Sequence, residues 1–154
     1  MRILLDDNEI QAFAYDPTGR RIEITRSDVP NALPTAMVYD GQDILRKTMG
    51  DTVSGPEPVF FIHGPAIDEP LAAEDQPGTL TYFHADGLGS IVARTSPSGS
   101  LQSTIRYDAW GNIEAGEVTT YGYTGREWDD ASGLYYYRAR YYDPMVGRFI
   151  SEDP

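Results

Sequence analysis

Asp129, Asp130, Asp143 and Asp153 are the side chains of this chain whose type and clustering could do chemistry. Two carboxylates that share a proton supply a base and an acid in one site, the logic of an aspartyl protease. Asp143 and Asp153 are the catalytic candidates on that logic. Asp129, Asp130 and Asp143 also stand ahead of a glycine, where aspartate caps turns, and turn chemistry is the default reading. His63 and His84, with Asp68 and Asp86 nearby, offer metal-ligating types without the tight spacing of a ligand motif, so no metal is expected. Gly87 and Gly89 open no helix, which removes a phosphate loop, and no serine or histidine arrangement suggests an activated nucleophile. No cofactor is expected.

The run from Tyr135 to Tyr142 carries a second kind of chemistry. Read as one alternating strand, it puts Tyr136, Arg138, Arg140 and Tyr142 on one side and Tyr135, Tyr137, Ala139 and Tyr141 on the other. The first set is a candidate binding face for carbohydrate, because tyrosine rings stack on apolar faces and keep a polar tip. Arg138, Arg140 and Arg148 are expected to pair inside the protein with Glu127, Asp129 or Asp130, given the excess of acids.

The elements that must position these residues announce themselves by repetition. Tyr-Asp occurs at Tyr15-Asp16, Tyr39-Asp40, Tyr107-Asp108 and Tyr142-Asp143, followed by Gly19, Gly41, Gly111 and Gly147 respectively. A β-favouring aromatic entering an Asp/Gly turn is how one strand ends and a hairpin begins. Asp86 and Gly89 form another turn of this kind. Alternation and turn residues predict strands at 10–14, 20–25, 36–39, 44–48, 59–62, 79–83, 90–95, 101–107 and 121–124. Residues 51–58, with two prolines, read as a linker. The expected core is Val38, Val59, Phe61, Leu80, Ile91, Val92, Ile105, Trp110, Leu134, Tyr137, Phe149 and Ile150, joined by Trp128.

Composition narrows the class. The chain has 154 residues, of which 11 are tyrosine, 15 glycine and 11 proline, a mixture suited to strands and tight turns. Twelve basic against 24 acidic residues leave a formal charge of −12, which disfavours a nucleic-acid partner. No apolar run approaches the roughly 18 residues of a membrane-spanning helix, and the stretch around Leu4 and Leu5 is too short for a secretory signal. The absence of cysteine removes disulfides and thiolate sites. The fold class expected is all-β, an antiparallel hairpin ribbon.

Several runs resemble the RHS repeat-associated core. They are Tyr82-Phe83-His84-Ala85-Asp86-Gly87-Leu88-Gly89-Ser90, then Tyr107-Asp108-Ala109-Trp110-Gly111-Asn112, then Tyr123-Thr124-Gly125-Arg126-Glu127. The fullest match is Gly133-Leu134-Tyr135-Tyr136-Tyr137-Arg138-Ala139-Arg140-Tyr141-Tyr142-Asp143-Pro144, continuing through Gly147-Arg148-Phe149 to Ser151-Glu152-Asp153-Pro154. Tyr15 and Tyr39 resemble ordinary YD repeats. The family includes bacterial polymorphic toxins, shell subunits of insecticidal toxin complexes and the extracellular part of teneurins. The resemblance implies a β-ribbon that spirals into a hollow shell, with degenerate repeats over 1–58 and the core over 59–154, in one continuous sheet. It also implies a secreted or cell-surface setting, a role in bacterial competition, and partners among other shell segments or a C-terminal toxin domain.

Toxin members continue beyond the Asp-Pro matching Asp153-Pro154 to a second such motif beside a self-cleavage point. The expectation is therefore a non-enzymatic shell fragment without cargo or cleavage site. The alternative is a small β-sheet module that binds carbohydrate or a partner's strand.

Overall fold

The computed structural model describes residues 2–5 and 8–152. The chain divides into two compact units, Met1–Phe61 and Ile62–Pro154. The first is built from β1 (Arg2–Leu5), β2 (Asn8–Tyr15), β3 (Arg21–Arg26), β4 (Thr35–Asp40), β5 (Asp43–Asp51) and β6 (Gly55–His63), whose last two residues lie past the division. Each strand pairs antiparallel with the next in sequence. β4 alternates as a half-buried strand should: Met37 is buried while Ala36 and Val38 face out. Among the side chains described in this unit, Phe13, Ile24, Met37, Ile44 and Phe61 are buried apolar ones.

In the second unit, β7 (Pro70–Gln76), β8 (Thr79–Ala85), β9 (Ile91–Thr95) and β10 (Leu101–Thr104) again pair in sequence order. A two-stranded ribbon follows, β11 (Arg106–Tyr107) with β12 (Ile113–Ala115). After a 3-10 turn at Tyr123–Gly125 comes a four-stranded antiparallel sheet. Its strands are β13 (Glu127–Asp129), β14 (Leu134–Tyr137), β15 (Arg140–Asp143) and β16 (Arg148–Phe149). Its core is aromatic, with Tyr135, Tyr136 and Tyr141 buried and Trp128 packed on Tyr135 at 4.6 Å between centroids. Such ring pairs contribute about 0.5–1.5 kcal/mol each beyond the area they bury.

The antiparallel all-β class holds, and several local expectations change. Residues 55–58 belong to β6, paired from Asp51↔Gly55 to Arg46↔Phe60, because Asp51 caps the intervening turn through the N–H groups of Val53 and Ser54. β7 carries too few β-branched residues to have been read as a strand. The strand expected at 121–124 is reduced to one isolated bridge, Tyr121↔Glu127, and gives way to the 3-10 turn at Tyr123–Gly125, where Thr124 has a left-handed backbone at φ 52°. The strand expected over 101–107 breaks at Ile105, whose N–H donates to the Val92 carbonyl. Phe61, Ile91 and Ile105 are buried as expected, whereas Val38, Trp110 and Ile150 are at least 44% exposed. Val38 lies on the outward row of β4, and Trp110 lies at a turn tip.

The repeated unit proves to be a five-residue turn with glycine at the fourth place, opened by aspartate in three instances (Asp16, Asp86, Asp108) and by Ser96 in the other. Four hairpins close in the same register, Tyr15↔Arg21, Ala85↔Ile91, Thr95↔Leu101 and Tyr107↔Ile113, leaving five-residue loops. In each loop the first residue exchanges backbone bonds with the fifth and with a glycine at the fourth, namely Gly19, Gly89, Gly99 or Gly111. All four glycines have φ between 80° and 93°, a region costly to any residue with a Cβ. Tyr39-Asp40 uses a two-residue loop, closing at Asp40↔Asp43, and Asp143 closes a four-residue loop onto Arg148.

Alanine at Gly89 should cost about 1–2 kcal/mol, the left-handed penalty alone, because its Cβ would meet nothing closer than 3.9 Å. At Gly111 the same Cβ would come within 2.6 Å of the Tyr123 ring, so Gly111→Ala should lower the urea midpoint further than Gly89→Ala. Equal midpoints would show that the ring moves freely.

Candidate functional site

The catalytic candidate Asp143 closes a turn, as do the turn aspartates Asp16, Asp86 and Asp108. Asp16 Oδ1 accepts from the N–H groups of Thr18 and Arg20 at 2.9 and 3.0 Å. Asp86 does the same for Leu88 and Ser90, both at 2.9 Å, and Asp108 for Trp110 and Asn112 at 2.8 and 3.0 Å. Asp143 Oδ1 accepts from Met145 and Val146 at 2.8 and 3.3 Å. Hydrogen bonds to the ionised form hold a carboxyl below its ordinary range. Asp16 is lowered first by the Thr18 hydroxyl and then by Arg20, and Asp108 first by the Asn112 amide.

The Asp108 loop is gripped by side chains from outside it. Three tyrosine hydroxyls donate to three successive carbonyls: Tyr123 to Ala109 (2.9 Å), Tyr142 to Trp110 (2.9 Å) and Tyr135 to Gly111 (3.0 Å). Asn112 Nδ2 links Asp108 to the Pro144 carbonyl, joining this loop to the one after Asp143. Tyr107 donates to the carbonyl of Ile91, the residue that closes the Asp86 turn, and Tyr39 donates to Arg21, which closes the Asp16 turn. The tyrosine of one hairpin is thus fastened to the turn of an earlier one. Burial pushes the Tyr107 and Tyr135 hydroxyls well above the usual phenol range.

Sequence reasoning named Asp108, Gly111 and Tyr142 as turn residues but gave no role to Tyr123 or Asn112. Tyr123 lies in a quoted motif, yet nothing local signals that its hydroxyl reaches a loop 14 residues earlier.

The proposed binding face separates. Tyr135 to Tyr142 is a hairpin, with Tyr135↔Tyr142, Tyr136↔Tyr141 and Tyr137↔Arg140 opposite one another. Tyr136 therefore shares a face with Tyr141, and both are buried, while Tyr142 lies with Tyr135, Tyr137 and Arg140. Arg138 is in the loop and pairs with Asp68 rather than with Glu127, Asp129 or Asp130. The Arg140 guanidinium lies 3.6 Å from the Phe149 ring centroid.

Among the described residues no three His, Asp or Glu side chains gather as a metal site. His84 bonds Thr95 Oγ1 and His63 stands edge-on to Tyr121. Asp153 lies outside the described residues.

The chain is similar over 97% of its length, at 31% identity, to a tRNA3(Ser)-specific nuclease, WapA, of Bacillus spizizenii, of which it covers 6%. It is 38% identical over 171 aligned residues to the toxin subunit YenC1 of Yersinia entomophaga, covering 96% of this chain and 17% of that protein. In a crystal structure of TcdB2-TccC3-Cdc42, a chain superposes on 99% of this one with a TM-score of 0.74 at 22% identity, and 8% of that chain is matched. The chain belongs to the RHS/YD-repeat family. The RHS/YD-repeat fold thus accounts for the hairpins, and the chain spans a small part of the relatives' lengths. No family model matches it.

Both titrating sets predict the pH profile of stability. Carboxyls lowered on folding stabilise above their unfolded value of 3.8, and that contribution is lost as pH falls. Phenols raised on folding stabilise below their unfolded value of 10.0, and that contribution is lost as pH rises. Urea midpoints should form a plateau from about pH 5 to pH 9, Asp108→Asn flattening its acid limb and Tyr135→Phe its alkaline limb. Unchanged limbs in both variants would contradict these roles.

Proposed function

We propose that this chain is structural and non-enzymatic, a stretch of wall and end closure from an RHS shell that encloses a toxin. The observation that supports the reading is the use of the carboxylates. Asp16, Asp86, Asp108 and Asp143 each accept backbone N–H groups of their own turns. At Asp16 and Asp108 these bonds hold the carboxyl below its ordinary range, which opposes the shared proton that acid/base work needs. The nuclease and toxin activities in the relatives' names belong to far longer proteins, matched over 6% and 17% of their lengths.

On this reading the partners are further shell segments and an enclosed toxin domain. The strands supply a surface through backbone pairing, and the turns and tyrosines hold their register. Family resemblance names the scaffold, and the site residues decide the task.

Intact-mass analysis of the purified chain during prolonged incubation, from acid to neutral pH, tests this. The expected outcome is one unchanged mass for the parent, Asp143→Asn and Asp153→Asn alike. A defined internal cleavage present in the parent and lost in either variant would overturn the non-enzymatic reading.

A further inference from the structure

Residues 64–69 form a strap between β6 and β7. The strap is folded on its own Glu69: the Gly64 N–H donates to the Glu69 carbonyl at 2.8 Å and the Ala66 N–H to the Glu69 carboxylate at 3.1 Å. What fastens it to the rest of the second unit is Asp68. Its Oδ2 accepts from Arg126 at 2.6 Å and its Oδ1 from Arg138 at 2.7 Å, with all three side chains less than 30% exposed. Its carbonyl lies so close to Gly125 that a Cβ there would come within 2.4 Å.

Backbone conformations of uncommon type converge on the same place. Asp68, Thr124 and Arg138 are left-handed, with φ of 61°, 52° and 60°. Aspartate tolerates that region, whereas threonine and arginine do so at a cost. Arg138 is the first of two loop residues between the paired Tyr137 and Arg140, the position where a tight hairpin favours glycine. An arginine held there against its backbone preference calls for a compensating side-chain role. The Arg126 guanidinium, meanwhile, sits over the Tyr137 ring at 4.6 Å, and the Tyr137 hydroxyl is bonded to Thr124.

The charges do not balance one to one. Two guanidinium groups share a single carboxylate in a partly desolvated site, so each arginine repels the other and is attracted to Asp68. Removing one arginine leaves a matched pair. Removing Asp68 leaves two unmatched cations facing each other.

We propose that Asp68 is a charge latch: one carboxylate neutralises two mutually repelling arginines, and this holds the 64–69 strap closed on the 123–125 turn. Arg138 keeps its left-handed position because its charge is needed there. The latch is a property of this arrangement and holds whether or not the chain lines a toxin shell. Its opening leaves the strap, with Ile67 already 77% exposed at its tip, free to leave Gly125 and the Thr124 turn.

The test is the sign of one substitution in two backgrounds. Arg138→Gly relieves the backbone, so a merely strained Arg138 predicts a higher Tm both in the parent chain and in Asp68→Asn. The latch predicts a lower Tm in the parent, where an ion pair is lost, and a higher Tm in Asp68→Asn, where a repulsion is lost. It also predicts that Asp68→Asn alone speeds amide hydrogen exchange over 64–69 by about tenfold or more, as expected for loss of coupled buried charges. A Tm change of the same sign in both backgrounds, or strap exchange unaltered in Asp68→Asn, overturns the proposal. Should Asp68→Asn fail to fold, a folded Asp68→Asn/Arg138→Gly double variant supports the latch, and a double variant that also fails to fold overturns it.

Discussion

The carboxylate that accepts two backbone N–H groups across a five-residue turn is the interaction on which this architecture depends. Hairpins joined in sequence order have no crossover helix to hold them, so each turn must set the register of its two strands. Asp16, Asp86 and Asp108 do this in one way: Oδ1 occupies the turn, a left-handed glycine follows at the fourth place, and the strands meet one residue outside the loop. The turn at Ser96 keeps the backbone pattern without the carboxylate, its hydroxyl bonded instead to Ser98.

Tyrosine supplies the second level of order. A hairpin alone is marginal in water and needs neighbours, and here the neighbours are joined by phenol hydroxyls reaching turn carbonyls. The Asp108 loop receives three of these on consecutive residues, so a loop whose tip stays exposed at Trp110 is tied to the four-stranded sheet through Tyr135 and Tyr142. Aromatic packing and hydrogen bonding act through the same side chains, since Tyr123 and Tyr142 also stack on one another at 6.4 Å. That dual use adds hydrogen bonds to aromatic burial in a chain without cysteines.

Membership of the RHS/YD-repeat family gives this economy a context. A repeat fold is served by short units that each close by themselves and then fasten to the next. Asp143, a catalytic candidate by type, accepts N–H groups of its own turn as Asp16, Asp86 and Asp108 do. The Asp68 cluster departs from the pattern, because there a carboxylate in a left-handed residue joins distant arginines instead of its own turn.

How far the sequence could be read depends on whether the deciding interaction was local. Turn closure at Asp16, Asp86 and Asp108 acts within five residues, so the types and spacing alone identified it, along with the all-β class and strands β2 to β6 and β8 to β10. Partners distant along the chain escaped. Tyr135 finding Gly111, Arg138 finding Asp68, and the hairpin that parts Tyr136 from Tyr142 depend on how strands come together in space. The sequence by itself determined the turns, the antiparallel class and the family, because each rests on short-range backbone preference. Only the tertiary structure decided which tyrosines are buried, which carbonyls they reach and which acid the arginines share, because packing selects those partners from many chemically equivalent ones.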